Sequence, residues 1–306
     1  MNVIFFGTPS FAAEILKVLL KNRVKVSAVV TRPDKPKGRH GAPVPSAVKQ
    51  VALEEGLPLF QPDRVSTETM ISRLKTYQAD LFLVVAFGEI LSQELIDVPK
   101  IACLNVHPSM LPKYRGAAPI QRCLMHGDKE TGVTIMHMVR KMDAGPILHQ
   151  VPVTIEDDEP FGQLEERLCQ IGATALLEVI QGYENGHPSE HLQDESKVTY
   201  APKIEFEDCQ IDWTKSSHEI HCFVRALNPY PGAWTEVKVK GQTKRLKIFQ
   251  VMPSKFNVKP KDMVKEGDAI LIGCGEGALC LGDVQLEGKI RMSARDLFRG
   301  NQIEFI

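Results

Sequence analysis

Leu81-Phe82-Leu83-Val84-Val85-Ala86 is an unbroken run of six apolar residues. A strand with one face in water alternates apolar and polar side chains. A continuous run fits a strand covered on both faces, as parallel sheets require. Runs of similar character occur at residues 2–7, 24–31, 79–86, 101–107 and 132–139. Helical spacing of apolar residues lies between them, at 11–20, 46–55, 67–76 and 119–125, and again at 161–185. This alternation predicts an α/β fold, a doubly wound, Rossmann-like and mostly parallel sheet, whose ligands bind at the C-terminal ends of the strands.

The pattern changes after residue 188. Residues 189–208 are polar, with few aliphatic side chains, and read as a linker. A helix is expected at 217–227, followed by short strands at 233–240, 245–252, 269–273, 278–281 and 284–288 and a helical segment at 293–298. Gly-rich turns between short strands predict a small OB-like β-barrel. The expected division is therefore 1–188, a linker at 189–208, and a second domain at 209–306. A length of 306 residues gives the same prior of two domains.

Composition narrows the class. With 43% hydrophobic and 25% charged residues the chain reads as an ordinary globular protein. No apolar run approaches the roughly 18 residues of a membrane helix, and no leader pattern opens the sequence. The seven cysteines are scattered without a C-x-x-C pair, which argues against a zinc site or disulfide framework and for a reducing cytoplasm. The net charge of −1 hides a local excess. Between residues 238 and 265 nine side chains are basic and only Asp262 is acidic. Clustered basic charge on a barrel is an electrostatic footprint for phosphates.

The densest chemistry follows the run at 101–107, in Asn105-Val106-His107-Pro108-Ser109-Met110-Leu111-Pro112-Lys113-Tyr114-Arg115-Gly116. Strand period two places Asn105 and His107 on one face. There an amide donor and an imidazole can polarise a carbonyl and handle a proton. Asp143, in a Gly-Pro turn after the next strand, stands where it could orient or charge-stabilise His107; a plain turn-forming role is the alternative. Taken alone, Arg115 reads as a surface ion pair. The first turn, Gly7-Thr8-Pro9-Ser10, is not G-x-G-x-x-G, and no Walker A, zinc-protease or nucleophile-elbow motif occurs. Nicotinamide and flavin cofactors and a metal are accordingly not expected. Group transfer without them is what remains.

The spacing Asn105-x-His107-x-Ser109-x-Leu111-Pro112-x-x-Arg115-Gly116, with Asp143 in a following Asp-x-Gly loop, resembles the folate-dependent formyltransferase superfamily. Phe6-Gly7-Thr8-Pro9, Arg32-Pro33-Asp34-Lys35-Pro36, Val84-Val85-Ala86-Phe87-Gly88, Thr199-Tyr200-Ala201 and Arg225-Ala226-x-Asn228-Pro229 are similar to its branch that acts on charged initiator tRNA. The resemblance implies formyl transfer from 10-formyltetrahydrofolate to the amino group of methionyl-initiator tRNA, with Asn105, His107 and Asp143 as the catalytic set. It implies a folate pocket around Phe87, Gly88, Glu89, Ile90 and Leu91, with Ser109, Leu111, Pro112 and Met142. It also implies that the basic loop carrying Lys35, Lys37 and Arg39 enters the acceptor end of the tRNA. Lys238, Lys240, Lys244, Arg245 and Lys247 are the tRNA contacts expected of the second domain, and a monomer is expected. Three rivals stay open on the residues alone. They are an amino-sugar nucleotide as acceptor, a hydrolase that deformylates the folate, and a noncatalytic RNA-binding module.

Overall fold

Runs of buried apolar side chains dictate a central sheet, and the computed structural model contains one of seven strands. It describes residues 1–36, 41–186 and 188–306. The first half of the chain carries β1 (Asn2–Gly7), α1 (Ser10–Lys21), β2 (Lys25–Val30), β3 (Lys35–Pro36), β4 (Pro43–Val44), α2 (Ala47–Glu54), β5 (Leu59–Phe60), α3 (Glu68–Lys75), β6 (Leu81–Val85), α4 (Gln93–Ile96) and β7 (Ala102–His107). After α5 (Pro119–Met125) come β8 (Glu130–His137), β9 (Ile147–Thr154) and α6 (Phe161–Glu184). The sheet order is β5-β2-β1-β6-β7-β8-β9. The first five strands are parallel, and β8 and β9 are antiparallel to their neighbours. All five residues of β6 are buried, as the unbroken run requires. Ile4, Phe6, Phe82, Val84 and Cys103 on one face pack with Leu74 of α3 and Leu95 and Ile96 of α4. On the other face Gly172 of α6 meets Val106, Val133 and Ile15. The sheet is thus covered on both sides, and the doubly wound fold is present.

Helix starts follow local chemistry. Ser46 and Thr67 cap α2 and α3, their hydroxyls accepting from the N–H groups of Lys49 and Met70. Strand β9 was not expected, because His149, Gln150 and Pro152 interrupt its apolar pattern. It forms through its pairing with β8, which runs from Glu130 opposite Thr154 to Met136 opposite Ile147.

The chain divides into two compact units. The first comprises Met1–Gly116, Glu130–Thr154 and Glu165–Tyr200, and the second Ala117–Lys129, Ile155–Leu164 and Ala201–Ile306. The stretch read as a linker, 189–208, is shared between them, Tyr200 closing the first unit and Ala201 opening the last segment of the second.

The second unit contains α5, α7 (Ser217–Ala226), β10 (Ala233–Val239), β11 (Gln242–Ile248), β12 (Val251–Ser254), β13 (Met263–Glu266), β14 (Ala269–Gly273), β15 (Ala278–Leu281), β16 (Asp283–Leu286), β17 (Met292–Ser293), α8 (Ala294–Arg299) and β18 (Ile303–Phe305). Helix α7 opens with a reciprocal box in which Ser216 and Glu219 satisfy each other's backbone N–H groups. The strands form two antiparallel sheets, β17-β16-β11-β10-β18 and β12-β15-β14-β13. One core serves both, with Val237, Leu246 and Ile248 from the first sheet and Ile270, Ile272, Leu279 and Leu281 from the second. The single strand expected at 245–252 is two strands. The chain leaves one sheet after Ile248 and joins the other at Val251. Among the described residues no helix is long and apolar enough to cross a membrane.

Candidate active site

Strand β7 delivers its last residues to the C-terminal edge of the sheet. Asn105 lies between Val84 of β6 and Met136 of β8, and His107 lies opposite Thr134. Both continue the strand face that carries Cys103. His107 is buried and Asn105 half-buried. Among the described residues the Asn105 carboxamide has no hydrogen-bond partner. It is a ready donor at the edge of the sheet.

The imidazole is fixed by backbone. Nε2 of His107 stands 2.9 Å from the carbonyl oxygen of Tyr114. A carbonyl only accepts, so Nε2 carries a hydrogen and donates to it. Nδ1 then faces Asp143, 3.8 Å from its Oδ2. That gap is too long for a hydrogen bond but within ion-pair distance. The same Oδ2 accepts the N–H of Gly116 at 2.8 Å. Gly116 has φ of 131°, backbone that side chains resist, and this conformation turns its N–H onto the carboxylate. Asp143 itself sits at φ 49°, a left-handed geometry costing about 1–3 kcal/mol that surrounding contacts must hold. One such constraint is steric. A Cβ on Gly145 would come 1.8 Å from the carbonyl oxygen of His137, so the turn after Asp143 lies directly on β8.

The loop from Pro108 to Lys113 is held by polar stitching. Ser109 Oγ donates to the Lys113 carbonyl at 2.7 Å, and Thr134 Oγ1 donates to the Ser109 carbonyl at 2.7 Å. Thr134 also accepts from Leu111 N, and Gln150 Nε2 donates to Leu111 O at 2.9 Å. Ser109 and Leu111 are therefore buried, with Leu111 packed on Met136 and Ile147. Their side chains hold the loop, and Pro112 beside them is half-buried.

The loop after β6 has a different character. Ala86 and Gly88 have φ of 44° and 84°, and Thr8 Oγ1 donates to the Phe87 carbonyl at 2.8 Å. The N–H groups of Gly88, Glu89 and Ile90 make no backbone hydrogen bonds among the described residues. Phe87 and Leu91 are core residues, the Phe87 ring meeting Phe6 edge-on. Glu89 pairs with Arg32 and accepts from Val65 N. Ile90 and Met142 stand exposed. Free backbone donors beside the exposed Ile90 side chain are what a flat, polar-edged ring such as a pterin requires of its site. Among the described residues no group of three or more His, Cys, Asp or Glu side chains could hold a metal ion.

Arg115 is not a surface residue. It is 1% exposed, its guanidinium held by Gln193 and Glu195, and its N–H donates to Thr199 O at 2.9 Å. Thr199 Oγ1 accepts from Tyr114 N at 2.9 Å. Residues 191–200 thus strap the loop that carries the His107 partner. Sequence reasoning does not reach Tyr114, Thr134, Gln150 or this strap, since each acts through contacts distant along the chain. Within the strap only Thr199 and Tyr200 give a signal, as part of a motif similar to the tRNA-acting branch.

A family description, formyl transferase, matches residues 1–180, and its C-terminal domain matches residues 203–302. The chain belongs to the formyl transferase family. Among formyl transferases, the methionyl-tRNA formyltransferase of Protochlamydia amoebophila is 52% identical over 311 residues, covering 100% of this chain and 98% of that one. The methionyl-tRNA formyltransferase of Geobacter metallireducens is 40% identical over 305 residues, covering 99% and 97%. A solved structure, HypX from Aquifex aeolicus in complex with tetrahydrofolic acid, shares the formyl transferase fold with a TM-score of 0.68 at 19% identity. The match covers 97% of this chain and 47% of that one.

The basic residues of this formyl transferase do not form one stripe. Lys35 is exposed in β3, whereas Lys37 and Arg39 lie outside the described residues. In the β10–β11 ladder Lys238 is opposite Thr243, Arg245 opposite Glu236 and Lys247 opposite Trp234, all on the outward face. Lys244 pairs with the buried Val237, so it belongs to the opposite face. Arg245 lies 4.3 Å from the Phe206 ring centroid and 4.8 Å from that of Trp234, and Lys247 donates to Pro231 O. Lys238 and Lys240 are exposed and line a cavity of about 400 Å³ with Lys265, Asn301 and Gln302.

Proposed function

We propose that this chain transfers the formyl group of 10-formyltetrahydrofolate to the amino group of methionyl-initiator tRNA, the step that prepares it for translation initiation. The observation that carries the chemistry is the edge of β7. There the unengaged Asn105 amide stands two residues from an imidazole whose Nδ1 faces Asp143 across 3.8 Å. Full-length similarity to relatives named methionyl-tRNA formyltransferase supports the acceptor. The tetrahydrofolate-bound neighbour in fold supports the donor.

The attacking amine must be uncharged, and a free α-amino group has a pKa of about 8, so much of it is available at neutral pH. Its nitrogen bonds to the formyl carbon, and the carbonyl electrons move to oxygen. Asn105 donates its side-chain N–H to that oxyanion; one such donor is worth about 10²–10³ in rate. In its protonated form His107 supplies a second donor from Nδ1, with the Asp143 carboxylate 3.8 Å from that nitrogen. The bond from carbon to N10 of the folate then breaks, its electron pair staying on nitrogen. The proton lost by the attacking amine passes to that nitrogen with the help of Asp143, through water. Gly88, Glu89 and Ile90 bind the pterin through backbone groups, with Met142 against it. The second unit binds tRNA through Lys238 and Lys240, with Lys244, Arg245 and Lys247 adding charge. Lys35, Lys37 and Arg39 reach the acceptor end. A cytoplasmic monomer divided at 1–188, 189–208 and 209–306 completes the reading.

The test is a formyl-transfer assay with methionyl-initiator tRNA beside an amino-sugar nucleotide. Turnover of the tRNA is expected. Strong turnover of the sugar alone overturns the proposal.

A further inference from the structure

We infer that Gln193 is a positioning residue for Asp143, an inference that rests on the catalytic role proposed for that carboxylate. Its Oε1 accepts from Arg115 Nε at 3.0 Å and Nη2 at 2.8 Å. Its Nε2 donates to the carbonyl oxygens of Asp143 and Gly145, each at 2.8 Å. The orientation of this amide is unambiguous, because a guanidinium can only donate and a carbonyl can only accept.

The four contacts join the two backbone segments that hold the carboxylate. Arg115 is followed by Gly116, whose N–H grips Asp143 Oδ2. Gln193 grips the same residue by its main chain and Gly145 two residues on. Glu195 extends the brace, accepting from Arg115 Nη2 at 2.8 Å and from Lys141 Nζ at 2.6 Å. The turn is therefore tied at residues 141, 143 and 145 to the strap and, through Arg115, to the loop beyond His107. The Asp143 φ of 49° is left-handed, a conformation uncommon outside glycine, and the brace helps to hold it. No other side chain among the described residues bonds to both halves of this turn. Arg115 is fully buried and its Nη1 already lacks a partner, so removing Gln193 would leave further donors unmet.

Two substitutions separate the halves of the brace. Gln193→Glu keeps the size and the contacts to Arg115 but sets a carboxylate oxygen against two carbonyl oxygens. Gln193→Ala removes everything. A displacement of a reacting group by about 1 Å costs on the order of 10²-fold, so both variants are expected to lower kcat roughly 10–100-fold while KM for folate and tRNA stays within about threefold. In an Asp143→Asn background, itself strongly impaired, Gln193→Glu is expected to cause no further loss. Native kcat in both Gln193 variants overturns the inference, as does an undiminished loss in the Asp143→Asn background. Those outcomes leave the role of Asp143 standing. Native kcat in Asp143→Asn alone instead overturns that role, and the inference with it.

Discussion

In the first unit the charged and polar groups converge. Arg115 is 1% exposed, and the side chains of His107 and Asp143 are 5% and 15% exposed. Backbone groups of Tyr114 and Gly116 aim the latter two. In the second unit the cations disperse. Lys238 and Lys240 stand in water, Lys244 lies on the other face of the ladder, Arg245 covers two aromatic rings and Lys247 holds a backbone carbonyl. On the proposed function the difference follows from what each unit recognises. A developing oxyanion is stabilised by donors fixed at hydrogen-bond distance. A phosphate backbone is attracted by net charge that tolerates loose placement. The two units should consequently respond to mutation through different kinetic parameters.

The largest effect is expected from the convergent site. Asn105→Ala, His107→Ala and Asp143→Asn should each reduce kcat by at least about 10²-fold, with little change in KM for tRNA and an unaltered dependence on salt. A variant among them with near-native kcat removes that residue from the catalytic set. A variant that instead raises KM for tRNA breaks the contrast between the units.

A smaller effect is expected from the dispersed site. Lys238→Ala with Lys240→Ala should leave kcat at saturating tRNA unchanged and raise KM several-fold. The slope of log kcat/KM against log salt should become shallower by about one for each phosphate that the protein no longer neutralises. An unchanged slope assigns tRNA binding to other residues. Arg245→Ala is the sharper control, because its guanidinium is already engaged with Phe206 and Trp234. This substitution should lower the thermal midpoint more than it alters the salt slope.

How much of this is readable from the sequence depends on range. The run at 81–86 determines a doubly covered strand because burial on both faces leaves a local signature, and Asn105 and His107 share a face by strand period alone. Strand β9 leaves no such mark. Its pattern is broken by His149, Gln150 and Pro152, and it exists because β8 offers a partner. The break between β11 and β12 is equally hidden, since 245–252 is continuous in propensity and divides only where the chain changes sheets. Arg115 reads as superficial because its acceptors, Gln193 and Glu195, lie 78 and 80 residues further along the chain. The groups proposed to act in catalysis are legible in sequence. The groups that hold them still are not.

The smallest expected effect concerns pH. Arg115 and Lys141 hold the Glu195 carboxyl down at about 2. A carboxylate whose pKa is depressed on folding contributes its full stabilisation above the unfolded value of 4.5 and loses it only as pH falls toward about 2. The contribution of Glu195 to the strap is therefore constant between about pH 7.5 and 5.5. His221 in α7 acts in the same direction but in a higher pH range. Burial lowers its pKa, and Arg225 and His218 add to the shift, while Asp158, 3.2 Å away, opposes it. The unfolded chain then binds a proton below about 6.5 that the folded unit resists, so stability falls as pH falls through that range. Both tryptophans, Trp213 and Trp234, lie in the second unit, and their fluorescence reports on it alone. Urea unfolding followed by tryptophan emission should show a midpoint that declines from about pH 7.5 to 5.5, and His221→Asn should flatten the decline. A midpoint independent of pH in the native chain would mean that Asp158 compensates fully for the burial of His221.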